Sequence, residues 1–439
     1  MTDFETVRRQ GYAPDNASVG RRGQHTRERI LACAANLFFT DGYHGTSIDA
    51  IAKAAGGSRA TVYQYFESKD AILAELAAPC REAVLDHGHS LGRLGPDEAG
   101  LRELHRWLIE WESLHDQYML VFLNFPGIGA IGNHTTANTD TTPQLYTEII
   151  ANKLHAAGIR GIEPIDAAAT LLRIAHMVNL PQFRTMFDLP DYPRVTASLA
   201  IAMQRLIFPE TPHAVLATIG CPTPAQTGLP GSRVPTDPVT KADEPDATTV
   251  SPIRDDILSA ASAMFSGRGY YAVAMDDIAT AAEVSRATLY RHFSTKVALL
   301  SELSSWAVLE SARLSLELRD LTADPSRNSL RGWLAHYVRH HRAYAGVIRA
   351  WYDGAIFNQL PGDAVARGMG ELYRAVYDYL GQQHLCAAMD RSVVTGVFLA
   401  ALGRLSEYAA VQHPDEKDYD TGGFILTVLQ RAILSDRAQ

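Results

Sequence analysis

The sequence predicts an all-α chain made of two related units, each a helix-turn-helix domain followed by a helical bundle. Three observations predict it. A stretch near the N-terminus recurs without a gap later in the chain. Apolar residues recur at helical spacing through most of the remainder. One segment dense in Pro, Thr and Gly separates the two halves.

The repeat comes first because it fixes the organisation. Residues 27–76 and 254–303 align at a single offset of 227. Gly42-Tyr43 matches Gly269-Tyr270, Ile51-Ala52 matches Ile278-Ala279, and Ser58-Arg59-Ala60-Thr61 matches Ser285-Arg286-Ala287-Thr288. Phe66 matches Phe293, and Lys69 matches Lys296. Fainter pairs follow: Trp107 with Trp333, His115 with His341, Tyr118 with Tyr344, Leu145-Tyr146 with Leu372-Tyr373, and Gln204-Arg205 with Gln430-Arg431. Each is short enough to arise from shared helical patterning. Together they extend the duplication over both bundles. The expected domains are a basic N-terminal arm (1–23), a helix-turn-helix domain (24–76), a bundle (77–208), a linker (209–250), a second helix-turn-helix domain (251–303) and a second bundle (304–439). A linker of that length reaches roughly 35 Å, enough to join domains side by side.

Composition sets outer limits. A chain of 439 residues, 46% apolar and 20% charged, is that of a globular protein of several domains. No stretch reads as a membrane span, and the N-terminus lacks the apolar core of a signal peptide, so a cytoplasmic location is expected. Cys33, Cys80, Cys221 and Cys386 form no CxxC pair and read as ordinary thiols. The net charge of −9 argues against a general polyanion binder, so any nucleic-acid contact must come from a local surface.

In the first copy, Ile30, Leu31, Ala34, Leu37 and Phe38 describe an amphipathic helix ending near Asp41-Gly42, where Gly suits the C-cap. Ser47 can cap a short helix to Ala55, with Ile48, Ile51, Ala52 and Ala55 on its buried side. Gly56-Gly57 turns the chain, and Ser58 can cap a third helix, Arg59 to Phe66. Two short helices around a Gly-containing turn make the helix-turn-helix pattern.

With GY..TS...IA..AG.SRATVYQYF.SKD.I in one copy and GY.......IA..A.VSRATLYRHF.TK..LL in the other, both segments resemble the N-terminal domain of the TetR family of transcriptional regulators. The resemblance implies a double-stranded DNA operator as partner, a small effector held in the bundles, and dimerisation through the last two helices of each bundle. The layout is similar to tandem TetR chains among lipid- and sterol-responsive regulators of actinobacteria, which implies a lipid- or sterol-like ligand. The stretch carrying Arg21 and Arg22 looks like the basic arm of such members.

The third helix of each copy is short enough to lie in a major groove. Expected DNA contacts in the first copy are Arg21, Arg22, Arg27, Ser58, Arg59, Thr61, Tyr63, Gln64, Tyr65 and Lys69. In the second they are Ser285, Arg286, Thr288, Tyr290, Arg291, His292 and Lys296. Hydroxyls and amines suit phosphates, and Lys69 and Lys296 sit where a helix N-terminus also favours them. Phe66 and Phe293 read as core; Tyr63 and Tyr290 could be core or contact. Gln64-Tyr65 stands where the second copy has Arg291-His292. Gln favours adenine and Arg favours guanine, so an asymmetric operator is expected. The first copy is also the more basic, with its arm.

The helices expected near 166–186 with 195–208, and 390–412 with 422–435, would pair inside one chain as a pseudo-dimer, leaving the chain monomeric. That would set the two reading helices about 35 Å apart, one DNA turn. Trp107, Trp111, Phe122, Trp333 and Trp351 are candidates for lining an effector pocket, although an aromatic stripe at helical spacing is also how core looks. Other members of these stripes are Phe125, Tyr337 and Phe357. Few charges fall there, so a small apolar effector is expected. His87, His89, His340 and His341 read as surface residues, too sparse for a metal site, and no cofactor is expected. With no Gly-rich phosphate loop, GxSxG or HExxH, no enzyme is expected. The competing reading is a small-molecule-binding helical protein in which the second helix-turn-helix has degenerated and only one copy reads DNA.

Overall fold

The computed structural model describes residues 21–124, 141–219, 251–321, 327–352, 356, 359–360 and 363–434, with backbone alone for Arg21, Arg22, Asn124 and 327–329. The expected arm before residue 21, Cys221, the linker from 220, Phe125 and Phe357 lie outside the described residues, as do the side chains of Arg21 and Arg22.

Regular structure among the described residues is helical. The first half holds α1 (Arg21–Thr40), α2 (Ile48–Ala54), α3 (Arg59–Tyr65), α4 (Lys69–Ser90), α5 (Glu98–Gln117), α6 (Met119–Asn124), α7 (Thr142–Ala156), α8 (Pro164–Asn179), α9 (Pro181–Met186), α10 (Tyr192–Ile207) and α11 (His213–Leu216). The second holds α12 (Pro252–Arg268), α13 (Met275–Ala281), α14 (Arg286–His292), α15 (Lys296–Asp320), α16 (Arg327–Trp351), α17 (Ala364–Gly381), α18 (Arg391–Gln412) and α19 (Asp418–Ala432).

Two compact units emerge. The smaller contains α1–α3, most of α4, and α6; the larger holds the rest. In the smaller unit, Ile30, Ala34, Phe38, Ile51, Val62, Phe66 and Ile72 close a core, with Leu120 of α6 packed against it. The helix starts follow their expected caps. Ser47 accepts from Ala50 N, and Ser58 accepts from Thr61 N at 3.1 Å. Gly56 takes φ +64, open to glycine.

In the larger unit, α8, α10, α18 and α19 pack on one another, so the pairing helices of both halves meet in one chain. Tyr408 donates to Asp166 at 2.6 Å, Asp390 N donates to Ser198 Oγ at 2.9 Å, and Arg431 Nε donates to Leu206 O at 2.8 Å. The first pairing helix is shorter than expected. It stops at Asn179 because Pro181 cannot continue it, and α9 starts afresh. Helix α18 is long and apolar enough to cross a membrane, contrary to the sequence reading, but 89% of that stretch is buried inside the protein. The expected linker boundary also moves. Residues up to 219 are described, with Leu216 and Ile219 buried and Thr211 bonded to Gln204 at 3.0 Å.

The duplication is visible beyond the helix-turn-helix. Trp107 Nε1 donates to His87 O at 3.0 Å, and its counterpart Trp333 donates to Leu314 O at 2.8 Å.

Candidate nucleic-acid interface

Helix α3 shows Arg59, Tyr63 and Gln64 to solvent, and Val62 and Phe66 to the core. Tyr63 is 45% exposed; Tyr65 is half-buried and packs against the core. Arg59 bonds Asp49 of α2 at 3.3 Å and reaches the Tyr63 hydroxyl at 3.4 Å. Both charges of the pair are exposed, so water screens it and it can open. Helix α14 repeats the arrangement. Ser285 caps it, accepting from Thr288 N at 3.1 Å, Tyr290 is 44% exposed, and Arg286 pairs with Asp276 at 2.7 Å. Arg291 is exposed and His292 is half-buried. Thr61 and Thr288 are half-buried, each with its hydroxyl against the capping serine.

Three expected contacts turn inward instead. Lys69 donates to Tyr43 O at 2.6 Å and to Thr46 O at 2.9 Å, with its ammonium 4.2 Å from the Tyr43 ring centre. Lys296 does the same with Tyr270 O and Val273 O, both at 2.8 Å. Two of three ammonium hydrogens are spent, and burial lowers both pKa values. Arg27 forks onto Glu75 and lies over Phe66, as Arg254 does onto Glu302 over Phe293. These ties clamp the first and fourth helices around the reading helix. Sequence reasoning missed Tyr43, Glu75 and Glu302 as partners. The signal was present, since all recur at the 227 offset.

A profile of bacterial regulatory proteins, tetR family, matches residues 30–76 and again 257–303, the two segments just described. The chain carries two TetR-type N-terminal domains in tandem. It is similar to the uncharacterized HTH-type transcriptional regulator YdgC of Bacillus subtilis (strain 168), 44% identical over 55 residues, 12% of this chain and 28% of YdgC. Against the HTH-type transcriptional activator FasR of Mycolicibacterium smegmatis it is 52% identical over 46 residues, 10% of this chain and 21% of FasR. Against the HTH-type transcriptional regulator UidR of Escherichia coli K12 it is 37% identical over 62 residues, 14% and 32% of the two chains. The chain thus spans less than a third of the length of each.

The two bundles differ inside. In the first, His87 stacks on Trp107 and Trp111, with ring centres at 4.4 and 5.4 Å, and Tyr146 stacks on Trp111 at 5.4 Å. His87 Nε2 donates to Trp107 O at 2.9 Å, so its Nδ1 accepts from the Tyr146 hydroxyl at 2.7 Å. Trp107 and Trp111 are therefore filled core, the plainer of their two readings. Phe122 is buried on α6, in the smaller unit. Trp333 packs against Tyr337 and Phe398. Of the five candidates, Trp351 lines a cavity of about 30 Å³, beside His340, Arg349, Arg404 and Glu407. Those charges correct the expectation of an apolar interior. His87, His340 and His341 are buried, correcting the expectation of surface histidines. Among the described residues no group of three or more His, Cys, Asp or Glu could hold a metal.

Proposed function

We propose that the chain is a sequence-specific, ligand-responsive transcriptional regulator that reads an asymmetric double-stranded operator with two unlike helix-turn-helix domains. The observation that carries this reading is the exposed face of α3, repeated on α14 with the same Arg and Tyr but with Gln64 exchanged for Arg291. Tyr63, Tyr290, Ser58 and Ser285 supply hydroxyls for phosphates, while Gln64 and Arg291 reach base edges.

The copies also differ in charge. From Ser47 to Phe66 the first copy has Asp49 against Lys53 and Arg59. From Ala274 to Phe293 the second has Asp276, Asp277 and Glu283 against Arg286 and Arg291. The first copy therefore holds phosphate more strongly, and the second contributes mainly through Arg291.

The pairing of α8 and α10 with α18 and α19 supplies both halves of a dimer, so one chain suffices for one operator. An effector in the second bundle shifts the population toward a form that fits the groove poorly and releases DNA, which makes the protein a repressor acting in the cytoplasm. FasR is named an activator, but the matched 46 residues bear on DNA reading rather than on the direction of control. Gel shifts with Tyr63→Ala and Tyr290→Ala test the reading. Both variants lose affinity, the first more. Unchanged binding in both would remove these helices as readers, and loss in the first alone would favour a degenerate second copy.

A further inference from the structure

The paired helices α8 and α18 meet through polar contacts that only unlike halves can make. Arg404 of α18, 8% exposed, donates Nε and Nη2 to the Met177 sulfur of α8 at 3.2 and 3.1 Å, and Nη1 to its own neighbour Glu407 at 2.7 Å. Tyr408, 5% exposed, donates its hydroxyl to Asp166 of α8 at 2.6 Å. The guanidinium of Arg173, a residue 7% exposed, lies over the Tyr408 ring, 4.7 Å from its centre.

Each contact has an equivalent in a pair of identical halves. The N-caps Glu163 and Asp390 keep the 227 offset, so Asp166 corresponds to Val393, Arg173 to Ala400, Met177 to Arg404 and Pro181 to Tyr408. Two second halves would set Arg404 against Arg404, charged donors facing charged donors. Each Tyr408 hydroxyl would then face Val393, which cannot accept. Two first halves would set Met177 against Met177 without strain, but Asp166 and Arg173 would face Pro181, which offers neither hydroxyl nor ring. Buried donors and charges stripped of partners are costly, and the unlike pair avoids every one of these losses. We infer that Asp166, Arg173 and Met177 with Arg404 and Tyr408 form a pairing code, by which the second half accepts a first half and rejects a copy of itself. The repulsive element, Arg404 on Arg404, is what makes the choice selective.

The inference goes beyond the proposed function, since it concerns the choice of partner and holds whether or not the chain reads DNA. Tethering in one chain favours the unlike pair through effective concentration alone. The code adds selectivity that survives when two chains meet, because halves exchanged between chains still pair first with second. Every assembled pair then carries one α3 and one α14, never two of either.

Denaturant unfolding of the full chain tests this, with the midpoint as the readout. Met177→Arg recreates the contact of two second halves and lowers the midpoint. Met177→Gln, close to Met in length and with an oxygen that accepts from Arg404, leaves it unchanged. Arg404→Met alone also lowers the midpoint, because it strips Glu407 of its partner. Added to Met177→Arg, the same change raises the midpoint, because one guanidinium again meets one thioether in the cavity that Met177, Arg404 and Glu407 line together. If Met177→Arg fails to fold, recovery of a folded chain in the double variant reads the same rescue. At the second contact, Asp166→Val lowers the midpoint, and adding Tyr408→Phe recovers part of the loss by removing the stranded hydroxyl. A double variant no more stable than Met177→Arg, equal losses in Met177→Arg and Met177→Gln, or losses at Asp166 and Tyr408 that simply add overturns the proposal.

Discussion

Arg404 donates two guanidinium N–H groups to the sulfur of Met177, which stands 227 residues earlier, at the equivalent place in the first copy. In a two-fold assembly, a residue that meets its own mate lies on the axis. The capping residues of α8 and α18, Glu163 and Asp390, keep the same offset. The pair marks a pseudo-two-fold axis inside one polypeptide, and the substitution at it breaks the symmetry chemically.

The buried Arg404–Glu407 pair gives the first prediction. Burial raises the carboxyl pKa of Glu407, but the guanidiniums of Arg404 and Arg349, with the hydrogen bond from Arg404, hold the group ionised. Glu407→Ala leaves Arg404 without its carboxylate and costs about 3–5 kcal/mol in denaturant unfolding. The double change Arg404→Met, Glu407→Leu costs less than the single, because it removes both charges together. A double variant as unstable as the two singles summed would contradict this.

Lys69 distinguishes a clamp from a phosphate ligand. Lys69→Met strands two carbonyls and lowers stability by about 2–3 kcal/mol, read by thermal unfolding. If stability is unchanged and the salt slope of DNA binding falls by about one, the amine serves phosphate instead.

Glu283 sits at φ 54, where the first copy has Gly56 at φ 64. A side chain in that region costs about 1 kcal/mol. Glu283→Gly therefore raises stability by about that much, seen as a higher denaturant midpoint, and a lower midpoint would contradict it.

The buried histidines set an acid limit. Burial pulls His87, His115 and His341 down to about 4 and His340 to about 3. These groups are neutral when folded and titrate near 6.5 when unfolded, so the unfolded state binds more protons below that value. Their stabilisation is complete above about pH 6.5 and is lost as pH falls toward 4, by about 1.4 kcal/mol per pH unit for each group. Unfolding midpoints measured between pH 7 and 4 check the slope; a flat profile would show that these rings are already solvated.

The helix-turn-helix was legible because its signals are local. Ser47, Ser58 and Gly56 act within a few residues, and the repeat doubled every observation. The pairing helices were legible as apolar runs, although Pro181 broke one sooner than periodicity alone suggested. The cavity was not legible. Arg349 and Arg404 lie on different helices, and Met177 comes from the other half of the chain, so only the folded arrangement brings them together. Arg27 and Lys69 misled for a related reason. Charge composition counts a basic residue as available, whereas Glu75 and two backbone carbonyls already hold these two.

Selection of bound sequences from a random duplex pool tests the central claim most directly. The account predicts one enriched site with two unlike half-sites, adenine favoured opposite the Gln64 copy and guanine opposite the Arg291 copy. A perfect inverted repeat, or no enrichment, would contradict it.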